Sequence, residues 1–140
     1  MHEGLHLRGR DLARLLEDHI ARWSRRTGIS MDVLVLPGDG SPGVSARITR
    51  RVYATVWEAL DNVERHSHAR TVGVVLTLGD RGLRLTVSDD GSGFHADPAG
   101  HGVIAMKAYF AELGGTLTIN SVVGEGTTVS GIVPARALDR

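Results

Sequence analysis

Glu58, Asn62 and Arg65 are the residues of this chain whose types and spacing invite chemistry. The first two are four positions apart and the second two are three, so on a helix all three lie along one face. They sit in "VWEALDNVERHSHA", Val56–Ala69, among Asp61, Glu64, His66 and His68. A carboxylate, an amide and a guanidinium in one stripe form either a solvated helix face or a holder for a hard metal ion and an anion. Three other stretches bear on the choice. "DDGSGF", Asp89–Phe94, ends an alternating apolar run, "GHG", Gly100–Gly102, precedes a helical one, and "GEGTT", Gly124–Thr128, separates two alternating segments. Each is ambiguous alone. Asp-x-Gly-x-Gly fits a tight turn. Gly-His-Gly marks a helix boundary or offers unpaired backbone N–H groups to an anion. "GEGTT" fits a hairpin turn.

Periodicity defines the elements that must position these residues. Leu12, Leu15, Leu16, His19, Ile20 and Trp23 recur at helical spacing, which predicts a core-facing helix begun near Asp11 and stopped at Gly28. "ISMDVLVL" alternates and predicts a strand; "PGDGSPG" is turn chemistry. A long helix follows from a Ser45 cap to about His66, with Ile48, Val52, Val56, Ala59, Leu60 and Val63 inward. "TVGVVLTL" and "GLRLTVSDD" form a hairpin through "GDRG". "VIAMKAYFAEL" is a third helix, with Val103, Met106, Phe110 and Leu113 on one side, ended by Gly114-Gly115. "TLTINSVV" and "TTVSGIV" close the chain as a second hairpin. This order predicts an α+β two-layer sandwich: a mixed, mostly antiparallel sheet with about three helices on one face. A doubly wound parallel sheet would need a helix between each strand pair, and two are missing.

Composition narrows the function classes. The 140 residues predict one domain, with residues 1–43 as an N-terminal helix and strand and 44–134 as the core. Sixteen basic residues balance sixteen acidic ones, so no global field favours nucleic acid or an anionic membrane. There is no Cys, hence no disulfide and no thiolate metal site. His66 and His68 have no third ligand spaced to complete a zinc site. No apolar run reaches the length of a membrane span and no signal-peptide pattern follows Met1, which with the absence of Cys fits a cytoplasmic chain or the cytoplasmic part of a larger, membrane-bound sensor; a monomer in isolation is expected. The Walker phosphate loop is absent.

Taken together and in this order, the four stretches resemble the ATP-binding domain shared by sensor histidine kinases, DNA gyrase, the ninety-kilodalton heat-shock chaperone and mismatch-repair ATPases, the Bergerat fold. The likeness runs from about Val44 to Val133 and is greatest to nitrate-sensor-like histidine kinases, where "ELGGTLTINS" and "GEGTTV" find counterparts. "EALDNVERHSHA" is similar to the N box, "DDGSGF" to the first glycine box and "GHG" to the second. The resemblance implies ATP and Mg²⁺ as cofactors. It implies that Asn62 coordinates Mg²⁺, that Glu58 orders or activates water there, that Arg65 meets phosphate and that His66 lies beside the base. It further implies that Asp89 accepts the adenine amine, that Gly91 and Gly93 admit the base, and that Gly100, His101 and Gly102 lie at the phosphates. Thr127 or Thr128 would lie near the adenine. The implied partners are a dimerisation domain carrying the phosphoacceptor histidine and a response regulator.

The sequence also departs from the family pattern. Only "FHADPA" separates Gly93 from Gly100, a short lid that would leave more of a nucleotide exposed. Ala105 stands where a third glycine is common, and "MKAYF" replaces a more basic segment. His2, His6 and His19 are poorly placed as phosphoacceptors, and His19 has the spacing of a packed residue. The chain is therefore expected to be the catalytic domain alone. "GVIAMKAYF" also resembles free-standing serine kinases that are anti-sigma factors, and a module that binds ATP without turning it over is a third reading.

Overall fold

The computed structural model describes residues 6–7, 9–37, 44–91 and 101–138. Its elements are β1 (His6–Leu7), α1 (Gly9–Thr27), β2 (Ser30–Pro37), β3 (Val44–Ser45), α2 (Ala46–Asn62), a π turn (Val63–Ser67), β4 (Thr71–Gly79), β5 (Gly82–Asp89), α3 (His101–Glu112), β6 (Thr116–Val122), β7 (Gly126–Pro134) and α4 (Ala135–Leu138).

Five strands form one sheet in the order β2-β4-β5-β7-β6. β2 and β4 are parallel because α2 crosses over between them; the β4–β5, β5–β7 and β6–β7 pairs are antiparallel. β1 and β3 make a separate two-residue ladder, too short to leave a period in the sequence, as is α4. The alternation expected of the strands sets the two faces of the sheet. Val72, Val74, Leu76 and Leu78 on β4 and Leu83, Leu85 and Val87 on β5 are all buried toward the helices. Leu12, Leu16, Ile20 and Trp23 bring α1 onto that core, but Leu15 is 45% exposed. The apolar stripe of α1 is thus narrower than its spacing predicted. Val33 is likewise 38% exposed, because β2 is an edge strand. Among the described residues no helix is long and apolar enough to cross a membrane.

Local chemistry fixes the helix ends. The Ser45 hydroxyl accepts from the Ile48 N–H at 3.2 Å, capping α2 as expected. Gly28 stops α1 at φ +76°, where its N–H donates to the Ser24 carbonyl at 2.9 Å. α2 and α3 run antiparallel and are tied at one end. There Arg51 Nε is 2.6 Å from Glu112 Oε2, its guanidinium lies 5.2 Å from the centre of the Tyr109 ring, and Arg47 donates to the Glu112 carbonyl. Under α3, Gly131 leaves the space that the Phe110 ring fills; a Cβ there would overlap it.

Candidate functional site

The site lies at the other end of the α2–α3 pair. A Cβ placed on Gly102, in the first turn of α3, would be 3.2 Å from Asn62 Nδ2, 3.3 Å from Asn62 Oδ1 and 3.3 Å from Glu58 Oε2. The second glycine stretch and the acid–amide pair of α2 therefore share one point in space. First-turn N–H groups of a helix have no intrahelical partner and the helix dipole is positive there. The start of α3 thus lies close to a carboxylate and an amide of α2.

Beyond Asn62 the helix widens. The Val63 N–H is shared between the Ala59 and Leu60 carbonyls, and the π turn ends at His68 in the left-handed region, φ +53°. This rotation separates the residues of the polar stripe. Glu64 turns out to a bidentate pair with Arg26 at 2.8 and 2.9 Å. Arg65 Nε lies 3.1 Å from Asp61 Oδ2 with its side chain largely in solvent. Among the described side chains of the stripe, Glu58 and Asn62 face α3.

Opposite them, Asp89 ends β5. Its Oδ1 accepts from the Gly91 N–H at 2.8 Å. Burial pushes this carboxyl above its ordinary range; the hydrogen bonds from Gly91 and from the Thr127 backbone oppose that shift, and the neighbouring Asp90 charge adds to it. Asp90 has a different task. Its carboxylate accepts from the N–H groups of Arg70 and Thr71 at 2.9 and 3.0 Å and from the Thr71 hydroxyl at 2.8 Å, so it secures the start of β4. These bonds hold it below the usual carboxylate range.

Between Asn62 and Asp89 runs a narrow cleft lined by Ala59, Asn62, Val63, Val87, Asp89, Met106, Ile119, Thr127 and Val129. It is a mostly apolar slot whose lining also carries the Asp89 carboxylate and the Asn62 amide. A second, more open hollow beside Glu58 is lined by Gly102, Ile104 and Ala105.

Thus the structure brings Asn62, Asp89 and Thr127 around one cleft, with the buried Gly91 beside Asp89, and sets Glu58 and Gly102 against Asn62 at an adjoining hollow. Strand alternation turns Thr128 to the opposite face from Thr127, in register with Ser88 and Asn120. Arg65 is engaged with Asp61 rather than aimed at the cleft. Gly93, Gly100, His2 and the short lid lie outside the described residues, as do the side chains of His6, His66 and His101. His19 is packed as expected: its ring is 5.1 Å from that of Tyr53, and its Nδ1 is 3.1 Å from the Tyr53 hydroxyl. Val87, Met106 and Ile119, which line the slot, carry no sequence signal that separates them from ordinary core.

Residues 48–137 match the family model described as histidine kinase-, DNA gyrase B- and HSP90-like ATPase. The chain belongs to this family. Among curated proteins it is similar to the sensor histidine kinase LiaS of Bacillus subtilis (strain 168), 38% identical over 94 residues, covering 65% of this chain and 26% of that protein. It is also similar to the sensor histidine kinase MctS of Rhizobium johnstonii, 31% identical over 132 residues, covering 90% of this chain and 28% of the relative. The chain thus spans about a quarter of the length of these relatives. Among solved structures, the histidine kinase domain of the Erythrobacter litoralis EL346 blue-light activated histidine kinase superposes with a TM-score of 0.72 at 22% identity, over 99% of this chain and 67% of that one. The mycobacterial sensor histidine kinase MprB gives 0.68 at 23%, over 96% and 97%. These two likenesses establish the fold.

Proposed function

We propose that this domain binds Mg·ATP between α2, the end of β5 and the start of α3, and presents the γ-phosphate to a histidine on a separate dimerisation domain, for relay to a response regulator. The observation that carries this reading is the convergence of Asn62, Glu58 and Gly102 within a few ångströms, one cleft away from the half-buried Asp89. The donors suit a magnesium ion brought with the nucleotide. Asn62 Oδ1 and Glu58 Oε2 are hard oxygen atoms, and Mg²⁺ keeps much of its shell as phosphate oxygens and water. Among the described residues no cluster of three His, Cys, Asp or Glu competes to hold a resident metal. The ion's contribution when bound is to neutralise charge on the phosphates.

This chain's own residues do the remaining work. Asp89 accepts the exocyclic amine of the base, and Val63, Val87, Met106 and Ile119 enclose its faces. Asn62 orients the phosphates' cation, Glu58 stands beside it as a base, and the first-turn N–H groups of α3 face the phosphate oxygens. In the transfer, a lone pair of the neutral acceptor imidazole forms the P–N bond as the β–γ P–O bond breaks and its electron pair leaves with ADP, and the proton on the other ring nitrogen passes to solvent or to a base. Catalysis is then mostly positioning.

The test supplies a dimerisation domain bearing the phosphoacceptor histidine in trans with radiolabelled ATP. Acid-labile label should appear on the added domain and not on this chain, and Asn62→Ala should abolish it while leaving the fold intact. Label on this chain would implicate one of its own histidines. Acid-stable label on a serine of an added protein would instead favour a free-standing serine kinase.

A further inference from the structure

Thr127 stands in a row of register partners that crosses the sheet. Val72 pairs with Asp89, Asp89 with Thr127, and Thr127 with Ser121 on β6. Directly paired residues point to the same face, and Val72 is buried toward the helices, so the row looks into the cleft. The Ser121 and Thr127 hydroxyls are 2.8 Å apart. Thr127 is 7% exposed and lines the slot beside Asp89; Ser121 does not line it.

A hydroxyl pair shares one proton along its hydrogen bond, so the direction of that bond decides what Thr127 offers the cleft. If Thr127 donates to Ser121, its oxygen faces the slot as a second acceptor beside the Asp89 carboxylate. If Ser121 donates to Thr127, the Thr127 proton is released toward the slot, and Asp89 and Thr127 become an acceptor–donor pair. The edge of adenine presents the complement, an amine donor beside a ring-nitrogen acceptor. Hypoxanthine presents a carbonyl and an N–H, the reverse.

We infer that Ser121 is a positioning residue for base selection: by donating to Thr127 it turns the Thr127 hydroxyl proton toward the ring nitrogen of adenine. This rests on the ATP reading of the cleft. A paired, oriented hydroxyl discriminates because the wrong partner leaves a buried polar group unmatched.

The experiment compares Ser121→Thr with Ser121→Val, which share shape and differ in the hydroxyl. Binding of ATP, inosine triphosphate and purine riboside triphosphate to the whole chain is measured by calorimetry. Purine riboside triphosphate keeps the ring nitrogen and lacks the amine, so it reads Thr127 without Asp89. Ser121→Thr should bind all three as the unmodified chain does. Ser121→Val should lose about tenfold for ATP and for purine riboside triphosphate, and its ATP-to-inosine-triphosphate ratio should narrow. Equal losses for all three nucleotides would mean a merely structural role and overturn the inference, as would Ser121→Val binding within twofold of Ser121→Thr. Asp89→Asn separates the two levels of argument: it should weaken ATP while leaving purine riboside triphosphate nearly unchanged. Failure of the unmodified chain to bind ATP would overturn the underlying reading itself.

Discussion

Gly102→Ala should separate stability from function in opposite directions. Gly102 lies in the first turn of α3 and is not among the glycines held at positive φ, so alanine fits its backbone. Replacing a helical glycine stabilises by about 0.5–1 kcal/mol, chiefly by restricting the unfolded chain. In a domain of this size that raises Tm by about 2–4 °C. The new methyl, however, would meet Asn62 Nδ2 at 3.2 Å and Glu58 Oε2 at 3.3 Å. Relief to ordinary contact demands about 0.3 Å of movement by the two side chains proposed to hold the phosphate end of the site. Since a 1 Å misplacement costs on the order of 100-fold, this shift should reduce kcat/KM for phosphotransfer in trans by about fourfold. Thermal melts and initial rates of labelling measure the two effects. Transfer within twofold of the unmodified chain would refute the claim that Gly102 sets the geometry of Asn62 and Glu58.

Three further outcomes are expected. Gly131→Ala forces a methyl into the Phe110 ring and should cost about 1–3 kcal/mol by chemical denaturation. His19 is held below its ordinary pKa of 6.5, first by burial and then by the Arg22 and Arg26 charges. The unfolded chain therefore takes up the proton first, and stability should fall as pH drops from about 6.5 toward the folded-state value; His19→Gln should flatten that part of a Tm-versus-pH curve. Asp90 is depressed instead, so its contribution is complete above its unfolded value of 3.8 and is lost as pH falls through the folded one; Asp90→Ala should expose the Thr71 N–H to faster hydrogen exchange.

What the sequence revealed followed from how many residues carried each signal. α2 was legible from end to end because seven buried positions repeat at one period and a serine caps them. The β4–β5 and β6–β7 hairpins were legible because turn glycines punctuate strict alternation. The separation of Arg65 from Asn62 was not, because a π turn leaves the residue spacing unchanged and alters only the hydrogen-bond ladder. Choosing Thr127 over Thr128 needed the strand register: two adjacent threonines look alike in sequence and face opposite sides of a sheet. Leu15 misled because a helix of correct period does not by itself reveal how wide a stripe its neighbours will cover. Ser121 was silent, since its significance arises only when β6 is laid beside β7.

The tie between Arg51 and Glu112 gives α3 the mechanics of a lever. Its fulcrum is the end held by the guanidinium, the Tyr109 ring and Arg47, and its working tip is Gly102. The ten residue steps from Gly102 to Glu112 give an arm of about 15 Å, so a rotation of only about 4° moves the tip by about 1 Å. On the proposed reading, angular play of that size at the fulcrum takes the tip out of working distance of Asn62, which couples the proposed phosphate end to the opposite end of the helix.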